Sequence, residues 1–106
     1  MTTEPIDDAH QLIPDELAKT IPKLYATQND SDPIARVKLF TPDASWTWFV
    51  TEYDPQEHLC FGFVIGMERE FGYFSLAELE EVRGPLGLQI ERDLAFTPRP
   101  VSECQS

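Results

Sequence analysis

Two neighbouring segments with the composition of β-strands limit what this chain can fold into. Residues Trp46–Tyr53 are almost all aromatic or β-branched, which is typical of a strand. A turn over Asp54–His58, which contains Pro55, separates them from Leu59–Gly66, where nearly every residue is apolar. An apolar run of this length is typical of a strand that is covered on both faces. We therefore expect an antiparallel hairpin whose second strand lies inside a sheet.

Weaker strand signals lie on both sides of this hairpin. Ile34–Phe40 alternates apolar and basic residues, as a half-exposed strand does. Phe71–Phe74 is predicted to be a further short strand. Ile90–Phe96 is predicted to close the sheet, with Leu94 and Phe96 pointing inward.

Two short helices are predicted from their end signals. Ile13–Lys19 has a proline and two acidic residues in its first turn, and Pro22 prevents its continuation. Ser75–Glu78 has the sequence of a capping box, which predicts a helix from there to about Arg83. A Gly-Pro pair follows and ends that helix.

These elements predict one domain. A chain of 106 residues has room for one, and the expected fold class is α+β, an antiparallel sheet of four or five strands with one or two short helices. The domain is expected to span residues 13–100. A flexible N-terminal tail over residues 1–12 and a C-terminal tail over residues 101–106 are expected to flank it.

The sequence also predicts a compartment. No apolar run approaches the roughly 20 residues that a membrane helix needs. The first ten residues are acidic and contain no Lys or Arg, which is unlike a signal or transit peptide. We therefore expect a cytoplasmic protein.

The charge of the chain limits its partners. With 8 basic and 19 acidic residues the formal charge is 8 − 19 = −11. Binding to DNA or RNA depends on Lys and Arg that neutralise phosphates, and binding to anionic lipid depends on the same residues. Direct contact with nucleic acid or membrane is therefore not expected, and a basic protein surface is the expected partner. The simpler interpretation is that the acidic surface keeps a small protein soluble.

Most of this charge lies in less than a third of the chain. Residues 52–82 contain one base and eight acids, a net 1 − 8 = −7. If the turn, loop and helix of this stretch adjoin, their carboxylates form a negative face that imitates a phosphate backbone. The seven candidate partner-binding residues are Asp54, Glu57, Glu68, Glu70, Glu78, Glu80 and Glu81.

No catalytic, metal or cofactor site is predicted. The two histidines, His10 and His58, are far apart in sequence and have no nearby group with metal-ligand spacing. Ser75 is accounted for as a helix cap, and the five glycines form no phosphate-binding loop. Glu78 and Glu81 lie one helical turn apart, but acids on a solvated helix face are ordinary. We therefore do not expect an enzyme.

The aromatic residues and Cys60 are predicted to be core. An aromatic ring that proves exposed is expected to anchor a protein contact, because nucleic-acid stacking needs basic neighbours that this stretch lacks. Cys104, close to the C-terminus, is expected to be exposed. The eight aromatic residues concerned are Trp46, Trp48, Phe49, Tyr53, Phe61, Phe63, Tyr73 and Phe74.

Several short motifs along residues 12–103 are linked in order and spacing. They are Ile21-Pro22-Lys23-Leu24-Tyr25, Val37-Lys38-Leu39-Phe40-Thr41-Pro42-Asp43, Thr47-Trp48-Phe49-Val50-Thr51-Glu52-Tyr53-Asp54, Phe61-Gly62, Gly72-Tyr73-Phe74-Ser75-Leu76-Ala77-Glu78-Leu79, Gly84-Pro85-Leu86-Gly87-Leu88 and Ile90-Glu91-Arg92-Asp93-Leu94-Ala95-Phe96. Together they resemble a bacterial domain-of-unknown-function family common on plasmids, prophages and integrative elements. The resemblance implies no catalytic residue. Some similar proteins are associated with anti-CRISPR activity, as inhibitors of the RNA-guided nuclease Cas9.

Two functions are expected from the charge and the resemblance. The first is a mobile-element-encoded inhibitor that binds a nucleic-acid-handling bacterial defence protein, Cas9 being the one implied, by stoichiometric contact through an acidic face. The alternative is an accessory or regulatory binding module of a plasmid or integrative element with an unrelated protein partner. The sequence leaves the oligomeric state open.

Overall fold

The computed structural model describes residues 11–104, and the predicted hairpin forms the middle of its main sheet. In chain order the elements are helix α1 (Asp15–Ala18), strands β1 (Ile34–Ala35), β2 (Val37–Phe40), β3 (Thr47–Asp54), β4 (Leu59–Ile65) and β5 (Arg69–Ser75), helix α2 (Leu76–Glu81), strands β6 (Glu91–Arg92) and β7 (Arg99–Pro100), and a 3-10 helix (Val101–Glu103). Five strands form one antiparallel sheet in the order β5–β4–β3–β2–β6, and β1 pairs with β7 separately. The predicted fold class, a single α+β domain, is confirmed.

The local signals in the sequence predicted most of these elements. Strand β2 buries Val37 and Leu39 and leaves Lys38 half-buried between them, as the alternation predicted. Helix α2 begins where the capping box placed it, because the backbone N–H of Glu78 donates to Oγ of Ser75 at 3.2 Å. Strand β5 is longer than predicted and starts directly after the β4–β5 turn.

The predicted closing strand over Ile90–Phe96 is wrong in its second half. Only β6 pairs with the sheet, and Leu94, expected to point inward, is 80% exposed. The cause is Asp93, whose carboxylate accepts a hydrogen bond from the backbone N–H of Ala95 at 2.9 Å and turns the chain away. Phe96 lies against Phe49, with ring centroids 5.9 Å apart.

The main sheet has a fully covered face and a partly covered face. Because side chains alternate along a strand, Trp48 and Val50 lie on one face while Phe49 lies on the other. The covered face packs against the N-terminal segment and α2; its buried residues include Leu12, Ile13, Ile21, Trp48, Val50, Tyr53, Cys60, Leu76, Leu79 and Ile90. The second face buries a smaller cluster, Ala35, Phe49, Phe63 and Val101. That cluster lies over β3 and β4 and is completed by the C-terminal segment.

The ordered domain is wider than the predicted residues 13–100. Leu12 and Val101, both placed in tails, are buried in the two clusters. Cys104 is half-buried, with Sγ 3.5 Å from the carbonyl oxygen of Pro100, so its expected exposure is corrected. Both end segments belong to the folded domain because their apolar side chains, Leu12 and Val101, help to cover the two faces of the sheet. The rest of the predicted tails, residues 1–10 and 105–106, lies outside the described residues.

The hairpin contains a β-bulge on strand β3. The pairing with β4 shifts between Val50 and Glu52, so the extra residue of the bulge is Thr51. Gly62 faces the bulge, and a Cβ there would lie far inside van der Waals distance of the carbonyl oxygen of Phe49. At Gly72, its neighbour on β5, a Cβ would meet no atom within 4 Å.

We predict opposite results for alanine at these two glycines. Gly62→Ala is expected to lower the free energy of unfolding by about 2 kcal/mol or more, because the obstacle is backbone and does not yield. Gly72→Ala is expected to leave it unchanged or to raise it by up to about 1 kcal/mol, since the unfolded chain loses entropy. Urea denaturation measures the free energy of unfolding of both variants. Equal effects would contradict the close approach of the β3 backbone to Gly62.

A carboxylate fixes the C-terminal segment to the loop before β1. Asp32 accepts hydrogen bonds from Oγ of Ser102 at 2.6 Å and from its backbone N–H at 3.0 Å. These bonds lower the pKa of Asp32, the side-chain bond having the larger effect. The stability they contribute is therefore present above the unfolded-state pKa, about 3.9. It is lost as the pH falls through the folded-state pKa.

We predict that Ser102→Ala destabilises the protein in a pH-dependent way. The urea midpoint of the variant is expected to lie below that of the parent protein at neutral pH. The difference between the two urea midpoints is expected to narrow as the pH falls below about 4, where Asp32 becomes protonated in both proteins. Ser45→Ala, at an exposed turn, is the control and is expected to show no such trend. A difference that stays constant from pH 7 to about pH 3 would contradict the assignment.

Candidate functional site

Two of the candidate acids lie in the β3–β4 turn, and two more lie on helix α2, which starts beside that turn. Asp54 ends β3 and accepts a hydrogen bond from the backbone N–H of Gln56 at 3.0 Å, which shapes the turn that carries Glu57. Helix α2 starts beside this turn, where the backbone N–H of Leu76 donates to the carbonyl oxygen of His58 at 2.8 Å. We call Asp54, Glu57, Glu78 and Glu81 the hairpin–helix acids; of these, Asp54 is half-buried and the others are exposed.

Two other candidate acids lie at the opposite end of β5. Glu68 is in the β4–β5 turn and Glu70 is the second residue of β5, paired with Val64. We call these two the strand-end acids. From Ser75, which adjoins the hairpin–helix acids, to Glu68 the chain runs seven residues, roughly 23 Å at the rise of a strand. The single negative face that the sequence analysis made conditional on closeness therefore becomes two separate negative areas.

Glu80 has a structural role that sets it apart from the other candidates. Its carboxylate accepts a hydrogen bond from the backbone N–H of Leu12 at 3.0 Å, which holds the N-terminal segment against α2. It also lies near two buried groups of the covered face. Burial raises the pKa of Cys60 and of Tyr53 to about 12, and the charge of Glu80 adds to both shifts. Glu80 is thus directed towards the interior of the domain.

A buried carboxylate in the central strand was not among the predicted site residues. Glu52 is 2% exposed and follows the bulge on β3. Its two oxygens accept hydrogen bonds from the backbone N–H of Tyr25 at 2.8 Å, from that of Thr27 at 2.9 Å, and from the hydroxyl of Thr27. A buried carboxylate needs such donors, so Glu52 fixes the loop before β1 over the second face. The available signal was an acid inside a strand that was otherwise apolar or β-branched.

Aromatic rings form a continuous exposed strip on the second face. Phe61 on β4 lies beside Phe71 and Tyr73 on β5, with ring centroids 6.0 Å and 4.8 Å away. Phe71 is 44% exposed and Tyr73 is 51% exposed, while Tyr25 from the loop held by Glu52 is 60% exposed. We call Tyr25, Phe61, Phe71 and Tyr73 the aromatic strip.

The strip corrects part of the prediction that the aromatics are core. Trp48, Phe49, Tyr53 and Phe63 are buried as predicted, but Tyr73 is exposed, and so is Trp46, which stacks on Trp48. The reason is topological. Strand β5 is an edge of the sheet, and the described segments that cover the second face lie over other strands.

The strip is held in place from both sides. The hydroxyls of Tyr25 and Tyr73 are hydrogen-bonded, which raises the pKa of Tyr73. Tyr25 adopts a positive φ of 73°, an uncommon conformation that its backbone bond to Glu52 stabilises. On the sheet side, Phe71 lies edge-on against the buried Phe63, with centroids 5.1 Å apart. The exposed rings therefore present a preorganised surface.

Other possible sites contribute little chemistry. In residues 11–104 no group of three or more His, Cys, Asp or Glu side chains is placed to hold a metal ion. A shallow cavity of about 430 Å³ lies beside β6, lined partly by Leu12, Leu88, Ile90 and Leu94. Both cysteines are free, and burial raises the pKa of each thiol, which disfavours the reactive thiolate.

Comparisons with known proteins place the chain by family alone. The model of a family described as "Protein of unknown function (DUF2958)" matches residues 11–104, the same range that the structure describes. No curated protein and no solved structure matches the chain significantly. Within the described residues, no helix has the length and apolar character needed to cross a membrane.

We predict that Glu52→Gln loosens the loop that carries Tyr25. An amide has one acceptor oxygen and presents an N–H group to donors that now lack a partner, so the free energy of unfolding is expected to fall by about 1–3 kcal/mol. Amide hydrogen exchange at Tyr25 and Thr27 is expected to accelerate more than in the core strands. Glu57→Gln, an exposed matched control, is expected to change stability by less than about 0.5 kcal/mol. Unchanged exchange at Tyr25 and Thr27 would contradict the role of Glu52.

Proposed function

The chain belongs to the DUF2958 family of proteins of unknown function, and from its charge and its exposed surfaces we propose that it acts by binding another protein. The proposed function is stoichiometric inhibition of a nucleic-acid-handling bacterial defence protein, Cas9 being the first to test. In this proposal the protein is encoded by a mobile element, works in the cytoplasm and carries out no chemistry of its own.

The net charge of −11 is the observation that carries the proposal. Nucleic-acid-handling proteins hold their substrates on basic surfaces, and Cas9 keeps its heteroduplex in a positively charged channel. A small protein with this charge is attracted to such surfaces and repelled by nucleic acid. Its encounter with a basic partner is therefore faster than that of a neutral protein.

The placement of the acids supports contact at the β3–β4–β5 end of the sheet. Between Asp54 and Glu68 the sequence contains no Lys or Arg, and helix α2 contains none. The hairpin–helix acids therefore have no basic neighbour along their own segments. The strand-end acids flank Arg69, so that area carries a net charge of 1 − 2 = −1 and adds little to the negative potential. The negative charge of the hairpin–helix acids therefore lies near β5, an edge strand of the main sheet.

The separation of the acids favours the alternative function. A phosphate-backbone mimic needs a continuous row of negative charge, and the two acidic areas are roughly 20 Å apart along β5. An accessory or regulatory module of a plasmid or integrative element, with an unrelated protein partner, has no such requirement. This second candidate predicts protein binding without inhibition of a nuclease.

Titration into a plasmid-cleavage reaction of Cas9 with its guide tests the proposal. The protein is added before or after the DNA, at low and at high salt. We expect inhibition near a one-to-one ratio, weakened by salt and lost when DNA is already bound. Inhibition in either order would retain the inhibitor and reject competition for the DNA surface. No inhibition of several Cas9 types would reject the proposal in favour of the accessory module, whose partner a pull-down would then identify.

We predict that charge reversal has a local effect. Glu57→Lys/Glu78→Lys tests the hairpin–helix acids and Glu68→Lys/Glu70→Lys tests the strand-end acids. Each double substitution shifts the net charge by +4. If the altered acids form the contact, the affinity of the variant for the basic partner is expected to fall about tenfold at low salt.

A matched variant controls for total charge. Glu91→Lys/Glu103→Lys produces the same shift at exposed positions on β6 and on the C-terminal 3-10 helix. Its affinity is expected to fall much less than that of the other two double variants. Equal losses in all three would show that total charge alone matters and would contradict a local acidic site.

A further inference from the structure

The aromatic strip is an unusual surface for so small a soluble domain. Its four rings form one contiguous patch at the open edge of the main sheet, and three of them are 44–60% exposed. Single exposed apolar residues are common and need no explanation, but contiguous patches mark interaction sites. Tyrosine and phenylalanine are also the ring types that anchor protein contacts, because they bury a large area at a small cost in side-chain entropy.

The strip is fixed by a buried carboxylate as well as by the sheet. The buried carboxylate of Glu52 fixes the loop, and the loop brings Tyr25 to Tyr73. A charged group inside the central strand is costly unless all its hydrogen bonds are made. Here that arrangement places an exposed ring at a defined position on the second face. Preorganised anchors lose little freedom on binding, which favours affinity.

The charges around the strip indicate what binds it. Asp54 pairs with Leu59, and Leu59 pairs with Ser75, two residues from Tyr73, so Asp54 and the turn that carries Glu57 adjoin one end of the strip. At the other end, the exposed Arg69 lies two residues from Phe71 on the same face of β5, between Glu68 and Glu70, so the acidic end of the strip is the hairpin end. A guanidinium group stacks on an aromatic face and pairs with a nearby carboxylate, a combination that lysine matches less well. Nucleic acid or a second copy of this chain would meet its net negative charge.

We infer that the aromatic strip is the docking site for an arginine-bearing segment of a basic partner protein. Arginine side chains stack on Phe71 and Tyr73, while the carboxylates of the hairpin end, Asp54 and Glu57, pair with flanking basic residues. This inference rests on the proposed contact with a basic protein and adds the anchor of that contact. The acids attract the partner, and the rings retain it.

The experiment measures binding by NMR on the full chain with two synthetic peptides. One is an alternating arginine–glycine peptide and the other is the lysine–glycine peptide of the same length. We expect the arginine peptide to shift the backbone amides of Tyr25, Phe71 and Tyr73, and to bind several-fold more tightly than the lysine peptide. Equal affinity for the two peptides, or shifts confined to the acids, would overturn the inference.

Paired variants separate the strip from general apolar surface. Phe71→Ala/Tyr73→Ala is expected to weaken arginine-peptide binding at least about tenfold. Leu86→Ala/Leu94→Ala removes two exposed apolar side chains outside the strip and is expected to bind like the parent protein. Urea denaturation confirms that both variants are folded. Parent-like binding by the strip variant, or an equal loss in the control, would overturn the inference.

The same variants distinguish this inference from the proposed function. If the parent protein inhibits Cas9 and the strip variant inhibits equally well, the docking site is wrong while the function stands. If Cas9 is not inhibited but the arginine peptide binds the strip, the function is wrong while the site stands. Strip-dependent binding of single-stranded DNA, or a dimer that the strip variant abolishes, would assign the strip another occupant and overturn the inference.

Discussion

The exposed surface of this domain depends on the hydrogen bonds that the buried carboxylate of Glu52 accepts. This carboxylate lies inside the central strand because a bulge at Thr51 shifts the pairing of β3 with β4. A charge at that depth must be hydrogen-bonded, and its donors come from a loop more than twenty residues earlier in the chain, at Tyr25 and Thr27. One buried acid thereby decides which ring lies beside Tyr73. The geometry of the aromatic strip follows from a requirement of the interior.

In the proposed binding of a basic partner, electrostatics and apolar contact have different roles. The charge of −11 acts at a distance, within the Debye length of about 8 Å at physiological ionic strength, and it increases the rate of encounter with a basic partner. The rings act at contact, where desolvated aromatic area slows dissociation. Because Asp54 and Glu57 lie at one end of the aromatic strip, the proposed partner segment would meet both acids and rings along this edge. This arrangement is consistent with a binding protein whether its partner is Cas9 or another basic protein.

The sequence predicted those parts of the fold that have local causes. The hairpin, the alternation in β2 and the cap at Ser75 each arise from a few adjacent residues, and each is confirmed. The predictions that failed depend on distant or side-chain interactions. Asp93 ends the last strand through its own carboxylate, and the backbone of Leu12 is held by the carboxylate of Glu80. The division of the acids into two areas could not be predicted from the sequence either, because it depends on the lengths of β4 and β5.

The central claim is that acids attract a basic partner and the aromatic strip retains it. The most direct test measures the association and dissociation rates of the protein on immobilised Cas9–guide complex over a series of salt concentrations. The account predicts that the association rate falls steeply with salt while the dissociation rate changes little, and that loss of Phe71 and Tyr73 raises the dissociation rate alone. No binding at any salt concentration, or an association rate independent of salt, would contradict it.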